Sequence, residues 1–232
     1  MNSIFEKLNI KTNKDEEIKF DRYAKLLVEY NQKFNLTSIT NEEEIYLKHF
    51  ADSILGAEFI KENTLIDIGS GGGFPAIPLK IKCGNVKLTM MDATGKKCEF
   101  LKTVVNQLNL ENVTVINGRA EEYSIKDEYR ERFDNCTARA VARLNVLAEY
   151  CMPFVKVGGR FIAYKGDAKE ELNDAENAIK TLGGQIEEVK EFDLLGNKRT
   201  IIVIKKIEKT NKIYPRKNGV IKKKPLWQKN II

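Results

Sequence analysis

One junction constrains the fold more than any other stretch: the run Leu65-Ile66-Asp67-Ile68 passes straight into Gly69-Ser70-Gly71-Gly72-Gly73-Phe74-Pro75. A short apolar run bounded by glycines reads as a buried strand that turns sharply at its end. It opens a series. β-rich runs follow at 88–92, 113–117, 133–140 and 160–165. Between them lie helical stripes, Cys98, Leu101, Val105 and Leu108 in one, Leu144, Leu147, Ala148 and Cys151 in another. Strands alternating with helices at this spacing need crossover connections and so a parallel sheet. After a helix near 168–182, runs at 185–192 and 200–204 are separated only by a short loop with Gly196-Asn197, which makes a hairpin. The predicted fold is α/β: a Rossmann-like, doubly wound sheet, mostly parallel, ending in an antiparallel C-terminal hairpin.

Ahead of the sheet the pattern is helical. Phe20, Tyr23, Ala24, Leu27, Tyr30 and Phe34 recur every three or four residues and form one stripe. After a polar break at Asn35-Leu36-Thr37, a second helix is predicted over 41–58, with Leu47, Phe50, Ile54 and Ala57 on one face and Asn41 or Thr40 as N-cap. The expected organisation is an N-terminal helical extension (1–60), a Rossmann-like domain (61–208) and a basic C-terminal tail (209–232). With 232 residues, the chain can bury a full core. No run approaches the roughly 18 apolar residues that span a bilayer, and the first residues lack a signal-peptide pattern. No membrane partner and a cytoplasmic location are therefore expected, and the chain is expected to be a monomer.

Cys83, Cys98, Cys136 and Cys151 are scattered, with no C-x-x-C pair, and read as reduced core cysteines. With His49 the single histidine, a metal site has almost no ligands, and none is expected. The net charge of +6 is unevenly placed. Ten of the 39 Lys and Arg fall in 205–230 beside one acid, Glu208, leaving 29 basic and 32 acidic residues elsewhere. Such a cluster is either a solvated tail or the electrostatic footprint of phosphate binding.

In a doubly wound sheet, ligands bind beyond the carboxyl ends of the strands. Gly69, Gly71 and Gly73 let the backbone turn and approach a ligand closely. A dinucleotide loop, G-x-G-x-x-G, would want its third glycine where Phe74 stands. The spacing here is instead Asp-x-Gly-x-Gly-x-Gly, which suits a cofactor with a methionine ammonium group and no pyrophosphate. Asp92, at the end of the second strand, is placed to accept from both hydroxyls of a ribose, or else to cap the next helix beside Thr94. Gly118-Arg119-Ala120-Glu121 follows the third strand, where Ala120 and Glu121 would lie beside an adenine; Glu121 otherwise reads as a solvated first-turn acid.

Together these segments resemble the bacterial small-subunit ribosomal RNA methyltransferase G family, also called the glucose-inhibited division protein B family. The resemblance rests on Asn35-Leu36-Thr37-Ser38-Ile39, His49-Phe50-Ala51-Asp52-Ser53, the run from Asp67 through Gly73-Phe74-Pro75-Ala76-Ile77-Pro78-Leu79, Gly118-Arg119-Ala120-Glu121, Thr137-Ala138-Arg139-Ala140-Val141-Ala142 and Tyr214-Pro215-Arg216-Lys217. It implies a class I methyltransferase fold, S-adenosyl-L-methionine as methyl donor, and transfer to N7 of one guanine in 16S ribosomal RNA, the RNA or the small ribosomal subunit being the partner. It would put cofactor contacts on Gly69, Phe74, Ala120, Glu121 and Arg139; Arg139 otherwise reads as a contact to a guanine acceptor. Many members carry a serine after the acid of the second strand; here the chain reads Asp92-Ala93-Thr94.

The residues agree with that chemistry by what they omit. No (D/N)-P-P-(Y/F) loop follows the fourth strand, as transfer to an exocyclic amine usually needs, and no cysteine stands in the Pro-Cys setting of a C5 nucleophile. Guanine N7 has a free lone pair and requires neither, so positioning suffices. Asn35, His49, Asp52, Ser53 and Lys165 are candidate guanine-pocket residues, with Phe74 and Tyr164 as possible walls; His49 also reads as a partly buried helix histidine and Lys165 as surface charge. Arg143 is a phosphate contact or a surface ion pair. Arg216, Lys217, Lys222, Lys223 and Lys224 are candidate RNA contacts, with Tyr214 and Trp227 for stacking. A methyltransferase of small molecules or proteins, and an NAD-dependent protein, are the competing readings.

Overall fold

The computed structural model describes residues 2–61 and 63–226. Ten α-helices and seven strands are described: α1 (Ser3–Lys7), α2 (Lys14–Phe34), α3 (Glu42–Ile45), α4 (Asp52–Ile54), β1 (Thr64–Ile68), α5 (Ala76–Lys82), β2 (Lys87–Asp92), α6 (Gly95–Gln107), β3 (Val113–Asn117), α7 (Ala120–Tyr123), β4 (Phe133–Arg139), α8 (Leu144–Cys151), β5 (Val155–Lys165), α9 (Lys169–Thr181), β6 (Gly184–Leu194), β7 (Asn197–Lys206) and α10 (Asn218–Lys223).

Helix α2 begins at a reciprocal cap. The Asn13 side chain accepts from Glu16 N at 2.9 Å, and the Glu16 carboxylate accepts from Asn13 N at 3.1 Å. Three acids, Asp15, Glu16 and Glu17, occupy its first turn, and Asn35 ends it in the left-handed conformation. The predicted stripe faces inward: Phe20, Tyr23, Ala24 and Leu27 are buried.

The second predicted helix is not one continuous α-helix. Asn41 caps α3 through Glu44 N at 3.1 Å, but Tyr46–Ala51 widen into a π-helical stretch before α4. The widened turns rotate the inner face. His49, Phe50, Ala51, Asp52 and Ser53 are consecutively buried, while Leu47, Ile54 and Ala57 are only half-buried. A regular helix would have turned part of that run to solvent.

The sheet order is β3-β2-β1-β4-β5-β7-β6. The first five strands in that order pair in parallel, and β7 is antiparallel to both β5 and β6. The chain thus reverses its direction of winding between β1 and β4, as a doubly wound sheet does. Strand alternation splits the core. Leu65, Leu88 and Met90 pack with α2, α5 and α6, whereas Ile66, Ile68, Cys136 and Ala138 pack with α8 and α9. On the first face Phe5, Phe20, Tyr46 and Phe50 meet with ring centroids 5.0–5.2 Å apart, tying the N-terminal helices into the sheet's own core.

The described part of the basic tail is packed against the body. Arg130 donates to the carbonyls of Thr210, Asn211 and Tyr214 at 2.8, 3.2 and 3.0 Å. Lys206 is wholly buried and donates to Met152 O at 2.8 Å; burial pushes its pKa down to about 8. Ile221 of α10 is buried in the α8 and α9 cluster. Enough apolar and carbonyl partners exist to fix a segment whose charge alone predicts solvation. Trp227 lies outside the described residues. No described helix is long and apolar enough to cross a membrane.

Candidate active site

Beyond the carboxyl ends of the strands the chain forms two neighbouring pockets. The first opens on the α8 side. Gly69, Gly71 and Gly73 have φ of 73°, 56° and 95°, a region costly for any residue with a Cβ. Both Gly69 N and Ser70 N donate to Met91 O, at 2.8 and 3.1 Å, pinning the turn to β2. Asp92 accepts from Gly71 N and Thr94 N, both at 2.9 Å, one on each oxygen. It therefore closes a turn ahead of the next helix and braces the glycine loop at once, and its oxygens keep lone pairs spare at the cavity it lines. Ile68, Gly69, Ala120, Glu121, Val141 and Tyr150 contribute to the same lining, around a cavity of about 150 Å³.

Beneath the loop lies Asp67, wholly buried. Its Oδ1 accepts the Thr137 hydroxyl at 2.7 Å, while Oδ2 has no hydrogen-bond partner among the described residues. Burial raises its pKa to about 7. A buried acceptor without a donor is a place for a ligand's cation.

The second pocket opens on the face of the N-terminal helices, lined by Ile39, Lys48, His49, Asp52, Arg139 and Ala140 together with Tyr164, Lys165 and Arg199. Its centre is an ion-pair network. Asp52 accepts from Arg139 at 2.8 Å and from Arg199 at 3.1 Å, so one carboxylate bridges two guanidiniums. Arg139 also reaches Lys48 O and His49 Nδ1, both at 3.2 Å. Arginine has no acceptor, so Nδ1 must accept and the proton sits on Nε2, 2.9 Å from Thr37 Oγ1. Burial, with Arg139 adding to it, lowers the His49 pKa to about 3. The ring is neutral and stacks on Phe74, centroids 4.4 Å apart.

Between the pockets runs the segment after β4, where Ala140 takes φ 56° and Val141 packs over Gly69. Lys165 holds that segment through Ala142 O at 2.6 Å and pairs with Glu171 at 2.7 Å.

A family model described as rRNA small subunit methyltransferase G matches residues 16–202. The chain belongs to the rRNA small subunit methyltransferase G family. The ribosomal RNA small subunit methyltransferase G of Brevibacillus brevis is 50% identical over 221 residues, covering 93% of this chain and 92% of its own. That of Clostridium perfringens strain 13 is 45% identical over 232 residues, covering 97% of each. Among solved structures, an S-adenosylmethionine-dependent O-methyltransferase from Thermotoga maritima matches with a TM-score of 0.55 at 16% identity, over 80% of this chain and 72% of that one. A ribosomal protein L11 methylase from Lactobacillus delbrueckii subsp. bulgaricus matches with 0.54 at 17%, over 69% and 79%. At such identity the likeness speaks for the class I methyltransferase fold alone.

Within this chain the structure sorts the expected site residues. Gly69, Asp92, Ala120 and Glu121 line the first pocket. Gly71 touches it only through its bond to Asp92, and Gly73 faces Tyr23 and Ile77. Phe74 and Arg139 do not line it. Phe74 is buried between Tyr23 and His49, and alternation along β4 turns Arg139 to the face opposite Cys136 and Ala138, into the second pocket. His49, Asp52 and Lys165 line that pocket; Asn35 does not, being the exposed C-cap of α2. Ser53 is fully buried and bonds to His49 O at 2.6 Å, so its role is to hold the helix. Arg143 pairs with Asp174 at 2.8 Å on the surface. Arg216 is clamped to Glu149 by guanidinium contacts of 2.6 and 2.8 Å, so it is not free for phosphate. Lys217, Lys222, Lys223 and Lys224 are exposed, and Lys222 also lines the first pocket. Sequence reading missed Arg199 and Tyr150. Arg199 was accessible in principle: a strand antiparallel to β5 must begin at the rim where β5 ends, and Thr200 pairs with Lys165.

Proposed function

We propose that this protein transfers a methyl group from S-adenosyl-L-methionine to N7 of a guanine in 16S ribosomal RNA, with the cofactor in the first pocket and the base in the second. The observation that carries the reading is the arrangement of two pockets that meet across Ala140, Val141 and Ala142. One is nucleoside-shaped in its chemistry and the other is walled by cations and a carboxylate.

The residues fit the cofactor. Asp92 has acceptor capacity for ribose hydroxyls, Glu121 stands where an adenine edge would lie, and the orphaned Oδ2 of Asp67 suits an ammonium. Bound there, S-adenosyl-L-methionine supplies an electrophilic methyl group on a sulfonium.

The second pocket supports a base that needs no deprotonation. His49 is neutral with both ring nitrogens engaged, so it serves as a wall and not as a proton acceptor. Arg139 and Arg199 present donors suited to guanine O6 or a phosphate, held in place by Asp52. The single charge of the Asp52 carboxylate is shared between those two guanidiniums, so it orients them and leaves the pocket cationic. The gain expected is mainly orientation of N7 toward the first pocket.

The deciding experiment incubates the protein with tritiated S-adenosyl-L-methionine and small ribosomal subunits from cells lacking its gene, then digests the RNA to nucleosides. Label in 7-methylguanosine at one site supports the reading. Unlabelled subunits in the presence of tight cofactor binding would reopen the substrate, with a protein or small molecule next in line.

A further inference from the structure

The C-terminal basic run contains one lysine that differs from its neighbours. Lys222 is exposed, as Lys223 and Lys224 are, but it lies among the residues lining the first pocket, with Glu121, Ala120 and Tyr150, whereas Lys223 and Lys224 line none of the pockets described above. Lys222 makes no hydrogen bond or ion pair among the described residues. A flexible cation would not by itself count as part of a site, but the segment carrying this one is fastened. Glu149, whose side chain is fully buried, takes Arg216 through both carboxylate oxygens and also accepts from Arg216 backbone N at 2.8 Å. Five residues on, Ile221 is inserted into the same cluster as α8. Arg130 holds the three carbonyls upstream. The tail is thus anchored before and within α10, and the residue after the buried Ile221 is the one that meets the cavity.

We propose that the C-terminal segment is a wall of the cofactor pocket, that Lys222 is a cofactor-binding residue donating to the adenine ring, and that Arg216 and Glu149 are the positioning pair that delivers it. Adenine offers a donor at its exocyclic amine and acceptors at its ring nitrogens. Glu121 supplies an acceptor and Lys222 a donor to the same pocket, a complementary pair for that edge. The inference rests on the cofactor reading given above.

The test is calorimetric titration of the full chain with S-adenosylhomocysteine, without RNA. Lys222→Ala should weaken binding about tenfold, the scale of one charge-assisted hydrogen bond discounted for partial exposure. Lys223→Ala, one residue away and equally charged, should stay within twofold of wild type. Arg216→Ala should weaken binding through loss of the wall at temperatures well below its own unliganded melting temperature. A second readout is independent of affinity: saturating S-adenosylhomocysteine should slow tryptic cleavage within 217–224 by fivefold or more in the wild-type chain. Equal binding by Lys222→Ala and wild type, or cleavage unchanged by ligand, would overturn the inference and leave the cofactor reading standing. No binding by the wild-type chain itself would remove the cofactor reading, and this inference with it.

Discussion

Thr137 donates its hydroxyl proton to Oδ1 of Asp67 at 2.7 Å, across the pairing of β1 and β4 in which these two residues stand opposite each other. The bond satisfies half of a buried carboxylate. The other oxygen waits for a donor, and the carboxyl stays protonated up to about pH 7 because burial disfavours its charge. Between about pH 4 and 7 the folded chain keeps a proton that the unfolded chain has released. This contribution to stability is therefore complete below the unfolded pKa and is lost as pH rises through about 7, at up to about 1.4 kcal/mol per unit. Asp67→Asn should flatten that slope in urea unfolding of the unliganded protein. In the wild type, affinity for S-adenosylhomocysteine should rise from pH 6 to pH 8; an equal rise in Asp67→Asn would exclude the ammonium contact.

His49 is the single histidine, and its two ring nitrogens are spent on Thr37 and Arg139. With a pKa of about 3, it should show one set of ring resonances that does not move between pH 5 and pH 9. A midpoint near 6.5 in that titration would mean that the ring is more open than described.

Asp52→Asn removes the charge shared by Arg139 and Arg199 and leaves the first pocket untouched. Methylation of ribosomal subunits in single turnover should fall at least tenfold, roughly 1.4 kcal/mol or more in the barrier, while S-adenosylhomocysteine binds within twofold of wild type. Loss of both together would contradict the division of labour between the pockets.

The glycines separate fold from binding. At Gly73 an added Cβ would lie 2.5 Å from Tyr23 Oη and 2.6 Å from Ile77, at φ 95°; Gly73→Ala should cost roughly 2–4 kcal/mol of stability. At Gly71 the nearest atom would be 3.8 Å away, leaving mainly the cost of positive φ, about 1–2 kcal/mol. Thermal unfolding of both variants gives the order directly.

How much of this was legible follows from which signals are periodic. The parallel strands and α6 and α8 announce themselves through apolar spacing, and the C-terminal hairpin through Gly196-Asn197. The π-helical turn at Tyr46–Ala51 does not, because a change of winding marks no residue type; yet it is what places His49 and Asp52 together. Arg139 shows the opposite case. Its face was readable from alternation with Cys136 and Ala138, but its ion pair with Asp52 was not, because spacing along the chain does not say which helix meets that face. Arg216 was hidden by its surroundings: a basic run predicts solvent, and only the fold reveals that Glu149 is buried beneath it.

Tyr23 donates to Gly72 O at 2.5 Å, 49 residues downstream, and stacks on Phe74. A ribosome making this chain therefore releases the helix long before the loop that completes its inner face. Until residues near 72 and 100 have left the exit tunnel, Phe20, Tyr23 and Leu27 have nothing from the sheet to cover them. The nascent chain passes through an interval with an uncovered apolar stripe, which closes only once the glycine loop and the strand and helix that follow it have emerged.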